Sequence, residues 1–375
     1  MSTDHSGVLP SQALEQMIAN GAIRASAAIL PEQIQPSSLD LRLGAEAYRV
    51  RASFLAAGSA TVSSKLEQYR LHTLDLTEPA VLEKGCVYIV PLQEELALPA
   101  TISGKANPKS STGRLDIFTR LITDEGRQFE IVPAGYKGRL FAEVVPRTFS
   151  IVARQGDRLS QLRLFQGDHQ PSDMLLREID SAETLVYLPD ETPGAANIAN
   201  GLRLSVDLAG IDGSPIIGYR AKKHAPLIDL NRIGYYATED FWDPIRRNES
   251  RTLVLDPEDF YILASRERVR IPPLYAAEMV PYDPTIGEFR IHYAGFFDPG
   301  FGYGSAAGEI TGTRAVLEVR SHEVPFILED GQVVASLVFE RLLERPRALY
   351  GEGIGSNYQR QGLKLSKHFK TPVHA

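Results

Sequence analysis

Cysteine is almost missing from this 375-residue chain. Cys86 stands alone, so no internal disulfide framework exists and a reducing cytoplasm is the expected setting. No stretch reaches the roughly 20 apolar residues of a membrane-spanning helix. The opening segment, Met1 to Pro10, has neither the basic region nor the apolar run of a signal peptide, so no export is expected. Positive charge is also in short supply. Forty Lys and Arg against 47 Asp and Glu leave a formal charge of -7, which disfavours a broad nucleic-acid surface. A small anion needs only a few local cations, so that class of ligand stays open.

What is present suits a globular protein: 43% of the residues are hydrophobic and 23% charged, and the length allows two domains with a core each. The first element reads as a helix, with Ser11 as cap, Leu14, Met17 and Ile18 on one face and Gly21 as the stop. Beyond it, short runs of Val, Ile, Leu, Phe and Tyr are broken at short intervals by Gly, Pro, Asp or Asn, the pattern of an antiparallel barrel or sandwich. Helical spacing returns only weakly, around Ala237 to Ile245.

An internal repeat organises the rest. Ser38-Leu39-Asp40-Leu41 recurs as Ser205-Val206-Asp207-Leu208, and Leu74-Asp75-Leu76 as Ile228-Asp229-Leu230. Val87-Tyr88-Ile89 returns as Phe260-Tyr261-Ile262, Leu98-Pro99 as Ile271-Pro272, Ala142-Glu143-Val144 as Leu317-Glu318-Val319, and Gly156 as Gly331. From Val81 to Leu164 the offset stays between 173 and 175 residues, a constancy that chance similarity between strands does not give. The expected organisation is a first β copy over residues 1–170, a proline-marked linker over 171–200 and a second β copy over 201–375. The copies differ by insertions: Arg51 to Arg70 in the first, Asn231 to Arg251 and Tyr303 to Thr313 in the second.

Four segments carry chemistry. In Pro108-Lys109-Ser110-Ser111-Thr112-Gly113-Arg114, hydroxyls, backbone N–H groups and flanking cations suit a polyphosphate; a solvated turn has the same composition. Glu143 and Glu318 each lie within an apolar run. A poorly solvated carboxylate holds its proton more tightly and suits general-base work, whereas strand alternation would turn either side chain to water. Asp298, in Ala294-Gly295-Phe296-Phe297-Asp298-Pro299-Gly300-Phe301, sits at a turn where it can accept hydrogen bonds. The polar C-terminal stretch from Tyr350 through Asn357-Tyr358-Gln359-Arg360-Gln361 to Ser366 and Lys367 reads by composition as a disordered end, with a ligand-covering lid as the other reading.

Taken in order, these segments resemble the deoxycytidine triphosphate deaminase family, related in fold to the trimeric dUTP pyrophosphatases. Pro36 to Gly44 looks like the family's N-terminal segment. Lys109-Ser110-Ser111 through Arg114 is similar to its Arg-Ser-Ser-x-x-Arg triphosphate loop, with Lys for the first Arg. Asp298-Pro299-Gly300-Phe301 resembles its Asp-Pro-Gly-Trp turn, Leu317-Glu318-Val319 the segment with the catalytic Glu, and Tyr350 and Gln361 its ligand-closing tail, with Asn357 where a Lys is usual. The resemblance implies a mainly β chain of two tandem dUTP pyrophosphatase-like distorted barrels with short helices. It also implies hydrolytic deamination of dCTP to dUTP and ammonia, feeding dUTP and dTTP synthesis. In that reading Glu318, or less readily Glu143, activates the water; Lys109, Ser110, Ser111, Arg114, Ala294, Asp298, Tyr350 and Gln361 bind substrate. Mg²⁺ accompanies the triphosphate, and the chains form a homo-oligomer, three two-copy chains being the simplest closed form.

The departures from the family pattern are complementary. Tyr282-Asp283-Pro284-Thr285-Ile286-Gly287 replaces the phosphate loop in the second copy and holds an acid but no cation. Val132-Pro133-Ala134-Gly135-Tyr136 replaces the Asp turn in the first. A division of labour is therefore expected, with triphosphate residues from one copy and the base pocket, Glu318 and lid from the other, within a chain or across chains. Zinc deaminases need His-x-Glu and Pro-Cys-x-x-Cys, which one cysteine cannot supply. A dUTP pyrophosphatase-like enzyme, suggested by Gly300 to Ser305, and a non-catalytic nucleotide-binding regulator are the alternatives.

Overall fold

Strands account for most of the ordered backbone in the computed structural model, which describes residues 6–58, 60–281, 289–292, 295–305, 308–321, 323–351, 358–359 and 361–371. For Pro281, residues 289–292, Ser305 and residues 308–309 the backbone alone is described. The chain is mainly β, as the short β-branched and aromatic runs require. Two compact units contain it: residues 1–169 with 226–232 and 342–347, and residues 170–225 with 233–341 and 348–375.

In the first unit, one sheet runs in the order Gly7–Val8, Ser160–Gln166, Ile102–Pro108, Ile131–Val132. A second runs Arg70–Asp75, Glu46–Val50, Val87–Ala97, Lys137–Pro146, Ile117–Thr123. In the second unit the corresponding orders are Leu202–Ser205, Val333–Arg341, Tyr275–Pro281, Phe296–Phe297 and Trp242–Arg246, Ile216–Ala221, Tyr261–Val269, Thr313–Ser321, Phe289–His292. The repeat seen in sequence is thus a repeat of topology. It extends to single hydrogen bonds. Tyr88 Oη accepts the Glu83 N–H at 3.0 Å, and Tyr261 Oη accepts the Asp256 N–H at the same distance. Gly156 and Gly331 both turn the chain at positive φ, 88° and 77°, where a side chain is strained.

Several expectations are corrected. Helix Ser11–Ala19 begins one residue after Pro10, which holds the cap position without a side-chain bond. Ser11 caps nothing: its own N–H is taken by the Pro36 carbonyl at 3.0 Å. Residues 171–200 are no loose linker. Ser172 Oγ accepts the Leu175 N–H to start helix Asp173–Ala182, and Leu176, Leu185 and Val186 enter the second unit's core. Asp173 takes the N–H groups of Gly201 and Asn200, which hold its carboxyl below the usual range. Ala237 to Ile245 is not an α-helix but a 3₁₀ turn, Thr238–Asp240, followed by strand Trp242–Arg246. Pro244 lacks the N–H that a helix interior needs there. The first-copy insertion holds helix Val62–Tyr69, capped by Thr61 and packed on Ile89, Ile122 and Phe141. Among the described residues no helix is long and apolar enough to cross a membrane.

Candidate functional site

Both candidate glutamates lie on central strands whose side chains are buried on both faces, so alternation exposes neither. Glu143 is 0% and Glu318 5% exposed; the solvent-facing alternative is overturned for both. Their partners differ. In the first copy the ladder sets Glu143 opposite Arg120, whose Nη2 and Nε donate to Glu143 Oε1 at 2.6 and 3.0 Å. The guanidinium also lies 3.4 Å from the Phe129 ring centroid and 4.6 Å from that of Phe118, a stacked arrangement natural to Arg. In the second copy the ladder sets Glu318 between Ile262 and His292. Neither of these two ladder partners is an arginine.

The triphosphate segment follows strand Ile102–Pro108 and forms one helical turn, Ser110–Gly113. The N–H groups of Thr112 and Gly113 are spent on the Lys109 carbonyl and that of Arg114 on the Ser110 carbonyl, which narrows the backbone donors expected there. Ser111 and Arg114 are buried, 7% and 3% exposed, while Lys109 and Ser110 are half-buried. Lys109 Nζ is ion-paired to Asp40 Oδ2, with Arg158 Nη1 3.9 Å from the same oxygen. Asp40 is 1% exposed, so this cation already has a buried counter-ion.

Asp298 is buried at the turn after Phe296–Phe297. Gly302 makes that turn possible: its φ is +64°, and a Cβ there would stand 2.0 Å from the Val269 carbonyl oxygen. Tyr350 donates its N–H to the Pro299 carbonyl at 2.8 Å and packs its ring on Phe301, centroids 5.6 Å apart. The described residues of the tail, 358–359 and 361–371, are not a disordered end. Tyr358 and Gln361 are buried. Gln359 Nε2 donates to the carbonyls of Gly300 (3.1 Å) and Tyr350 (3.2 Å), and its Oε1 accepts the Gly302 N–H at 3.0 Å. Gln361 Nε2 donates to the Arg314 carbonyl at 3.1 Å, on the strand that carries Glu318. That strand is braced by Arg314 itself, whose Nη1 reaches Asp207 Oδ2 at 2.8 Å and the Ser265 carbonyl at 2.7 Å. Ala294, Tyr282 to Gly287 and Asn357 lie outside the described residues.

A cavity of about 480 Å³ opens in the first unit among Ala25, Gly44, Glu46, Gln93, Glu95 and Arg139. None of the candidate catalytic or substrate-binding residues lines it. Sequence reasoning missed Arg120 and the Asp40 pairing. Arg120 stands 23 residues before Glu143, and only the antiparallel register brings them together.

Two domain descriptions of one family divide the chain: the 2'-deoxycytidine 5'-triphosphate deaminase N-terminal domain matches residues 5–168, and the C-terminal domain residues 172–369. A crystal structure of 2'-deoxycytidine 5'-triphosphate deaminase from Agrobacterium tumefaciens superposes with a TM-score of 0.85 at 51% identity, covering 92% of this chain and all of that one. The dCTP deaminase of Halorubrum lacusprofundi is 32% identical over 137 residues, 36% of this chain and 60% of its own length. The dCTP deaminase, dUMP-forming, of Acidothermus cellulolyticus is 28% identical over 137 residues, 36% of this chain and 68% of its own. The class is therefore that of two-copy β proteins built from an N-terminal and a C-terminal deaminase domain. The chain belongs to the dCTP deaminase family.

Proposed function

We propose that this protein is an enzyme that deaminates dCTP to dUTP and ammonia, with Glu318 as the general base. The observation that carries the reading is the convergence in the second unit. The tail is bonded through Gln361 to the strand of the buried Glu318, and through Gln359 to the turn of Asp298. Glu318 takes a proton from water and the hydroxide forms a bond to C4 of cytosine, the C4=N3 π pair moving onto N3; Glu318 then gives its proton to the amino nitrogen of the tetrahedral intermediate. The C4–N bond breaks, ammonia leaves, and the proton of the C4 hydroxyl passes to N3, so that the C4 carbonyl and N3–H of uracil remain. Asp298 and backbone near Ala294 read the base and sugar, with Tyr350 and Gln361 covering them.

Ser111 and Arg114 serve the triphosphate, with Ser110 and Lys109 beside them. The Mg²⁺ that accompanies the triphosphate would be held by its phosphate oxygens. The chains associate, three chains presenting six copies. The test is ammonia release from dCTP with pyrophosphate measured alongside. Ammonia alone supports the reading. Equimolar pyrophosphate marks a dUMP-forming enzyme, as the Acidothermus relative is named. Pyrophosphate from dUTP without ammonia, or binding without turnover, overturns it.

A further inference from the structure

The tail that touches the site is held from a distant stretch of the second unit. Residues 233–242 belong to the insertion that the first copy lacks, and the tail lays its backbone along them. Gly234 donates its N–H to the Lys367 carbonyl at 2.9 Å, Tyr235 and Tyr236 donate to the His368 carbonyl at 2.9 and 3.1 Å, and Lys370 donates to the Tyr236 carbonyl at 2.9 Å. Tyr236 and Phe369 form a parallel bridge, and Thr238 Oγ1 donates to the Lys370 carbonyl at 3.2 Å. Phe369, 6% exposed, enters an aromatic cluster. Its ring centroid is 5.3 Å from Phe241 and 5.9 Å from Trp242, both edge to face, the favoured geometry for such pairs. Chain ends fray unless something ties them down. Here an aromatic plug and a short ladder do so, a few residues beyond Gln359 and Gln361.

We propose that residues 234–242 are a clasp, and that Phe369 and Thr238 are positioning residues that hold Gln359 against the Asp298 turn and Gln361 against the Glu318 strand. The inference rests on the reading of that turn and strand as the base-binding site. A tail ordered in advance does not have to be ordered by the nucleotide, so a released clasp weakens dCTP binding. It leaves the reacting carboxylate in place.

The experiment compares the full chain with Phe369→Ala, Phe369→Leu and Thr238→Val. The Gly302 N–H is bonded to Gln359 Oε1, so its hydrogen exchange reports tail docking at the far end from the clasp. In Phe369→Ala, exchange at Gly302 is expected to accelerate. Emission of Trp242, the only tryptophan and 1% exposed, is expected to shift to the red. KM for dCTP should rise roughly tenfold with kcat changed much less. Phe369→Leu, which keeps most of the apolar bulk, recovers most of each effect. Should Phe369→Ala lose its cooperative unfolding, Thr238→Val is read instead, with faster exchange at Gly302 and KM up by about threefold from one lost hydrogen bond. Wild-type protection at Gly302 in the folded variants, or unchanged KM once Trp242 emission has shifted, overturns the clasp. A wild-type chain that releases no ammonia from dCTP sinks the activity instead, and exchange at Gly302 still decides for or against the clasp.

Discussion

Arg120 lies across Glu143, with Nη2 2.6 Å and Nε 3.0 Å from the same carboxylate oxygen. Glu143 Oε2 meets no hydrogen-bond partner among the described residues. We propose that the first copy's glutamate is a structural ion pair, since Arg120 spans one of its oxygens and the side chain is buried. Glu143→Gln is expected to leave ammonia release near the wild-type rate and to lower stability by about 1–3 kcal/mol, because the arginine loses its counter-ion. Thermal unfolding and a steady-state assay check both. A dead variant with an unchanged Tm would move the reacting base to the first copy.

Glu318→Gln keeps the shape of the side chain and removes the base. The expected result is a kcat lower by roughly 10²–10⁴ with dCTP binding retained, read by turnover and by titration calorimetry on the same preparation. Full activity in this variant would end the proposal for Glu318.

The duplication was legible in sequence because it is written in strand cores. Val87-Tyr88-Ile89 and Phe260-Tyr261-Ile262 keep their spacing, and the structure gives both tyrosines the same bond, to Glu83 and Asp256. The candidate glutamates were visible as charges within apolar runs. Their difference was not, since Arg120 and His292 acquire their places only through antiparallel register. The tail was misread because Tyr358, Gln359 and Gln361 look like any solvated end. What orders them is Phe369 against Trp242 and Phe241, more than a hundred residues apart in the chain. The prolines of residues 171–200 likewise suggested a linker, while Leu176 and Val186 find a core only in three dimensions.

Alkaline pH should loosen the first unit through Tyr136. Burial pushes its hydroxyl up to about 12 from an ordinary 10.0, and the group donates to the Arg139 carbonyl at 2.6 Å. The folded-state value is raised, so the stability it contributes is complete below about pH 10 and is lost as pH rises toward 12, where the unfolded chain gives up the proton first. Denaturant midpoints measured from pH 9 to 12 should fall, and Tyr136→Phe should flatten that fall while starting lower for want of the bond. An equally steep fall in Tyr136→Phe would assign it to the other buried tyrosines, such as Tyr219 and Tyr261, which burial also raises.

Lys109 and Arg114 bracket the same turn, yet the two should not behave alike. Lys109 already answers the buried Asp40, so its charge is largely cancelled before any phosphate arrives. Lys109→Ala should cost stability, by leaving Asp40 with Arg158 at 3.9 Å as its remaining cation, and should raise KM only a little. Arg114, 3% exposed, is proposed to meet the triphosphate with charge-assisted hydrogen bonds. Losing them should raise KM about 10- to 100-fold, from roughly 1.5–3 kcal/mol, with kcat less affected. Mixing Arg114→Ala chains with Glu318→Gln chains adds a second readout. Recovered activity means that different chains serve one turnover, and no recovery means that one chain supplies both residues. If Arg114→Ala keeps the wild-type KM while Lys109→Ala loses affinity, the cation roles are reversed. If neither variant changes KM, the first copy takes no part in holding the triphosphate.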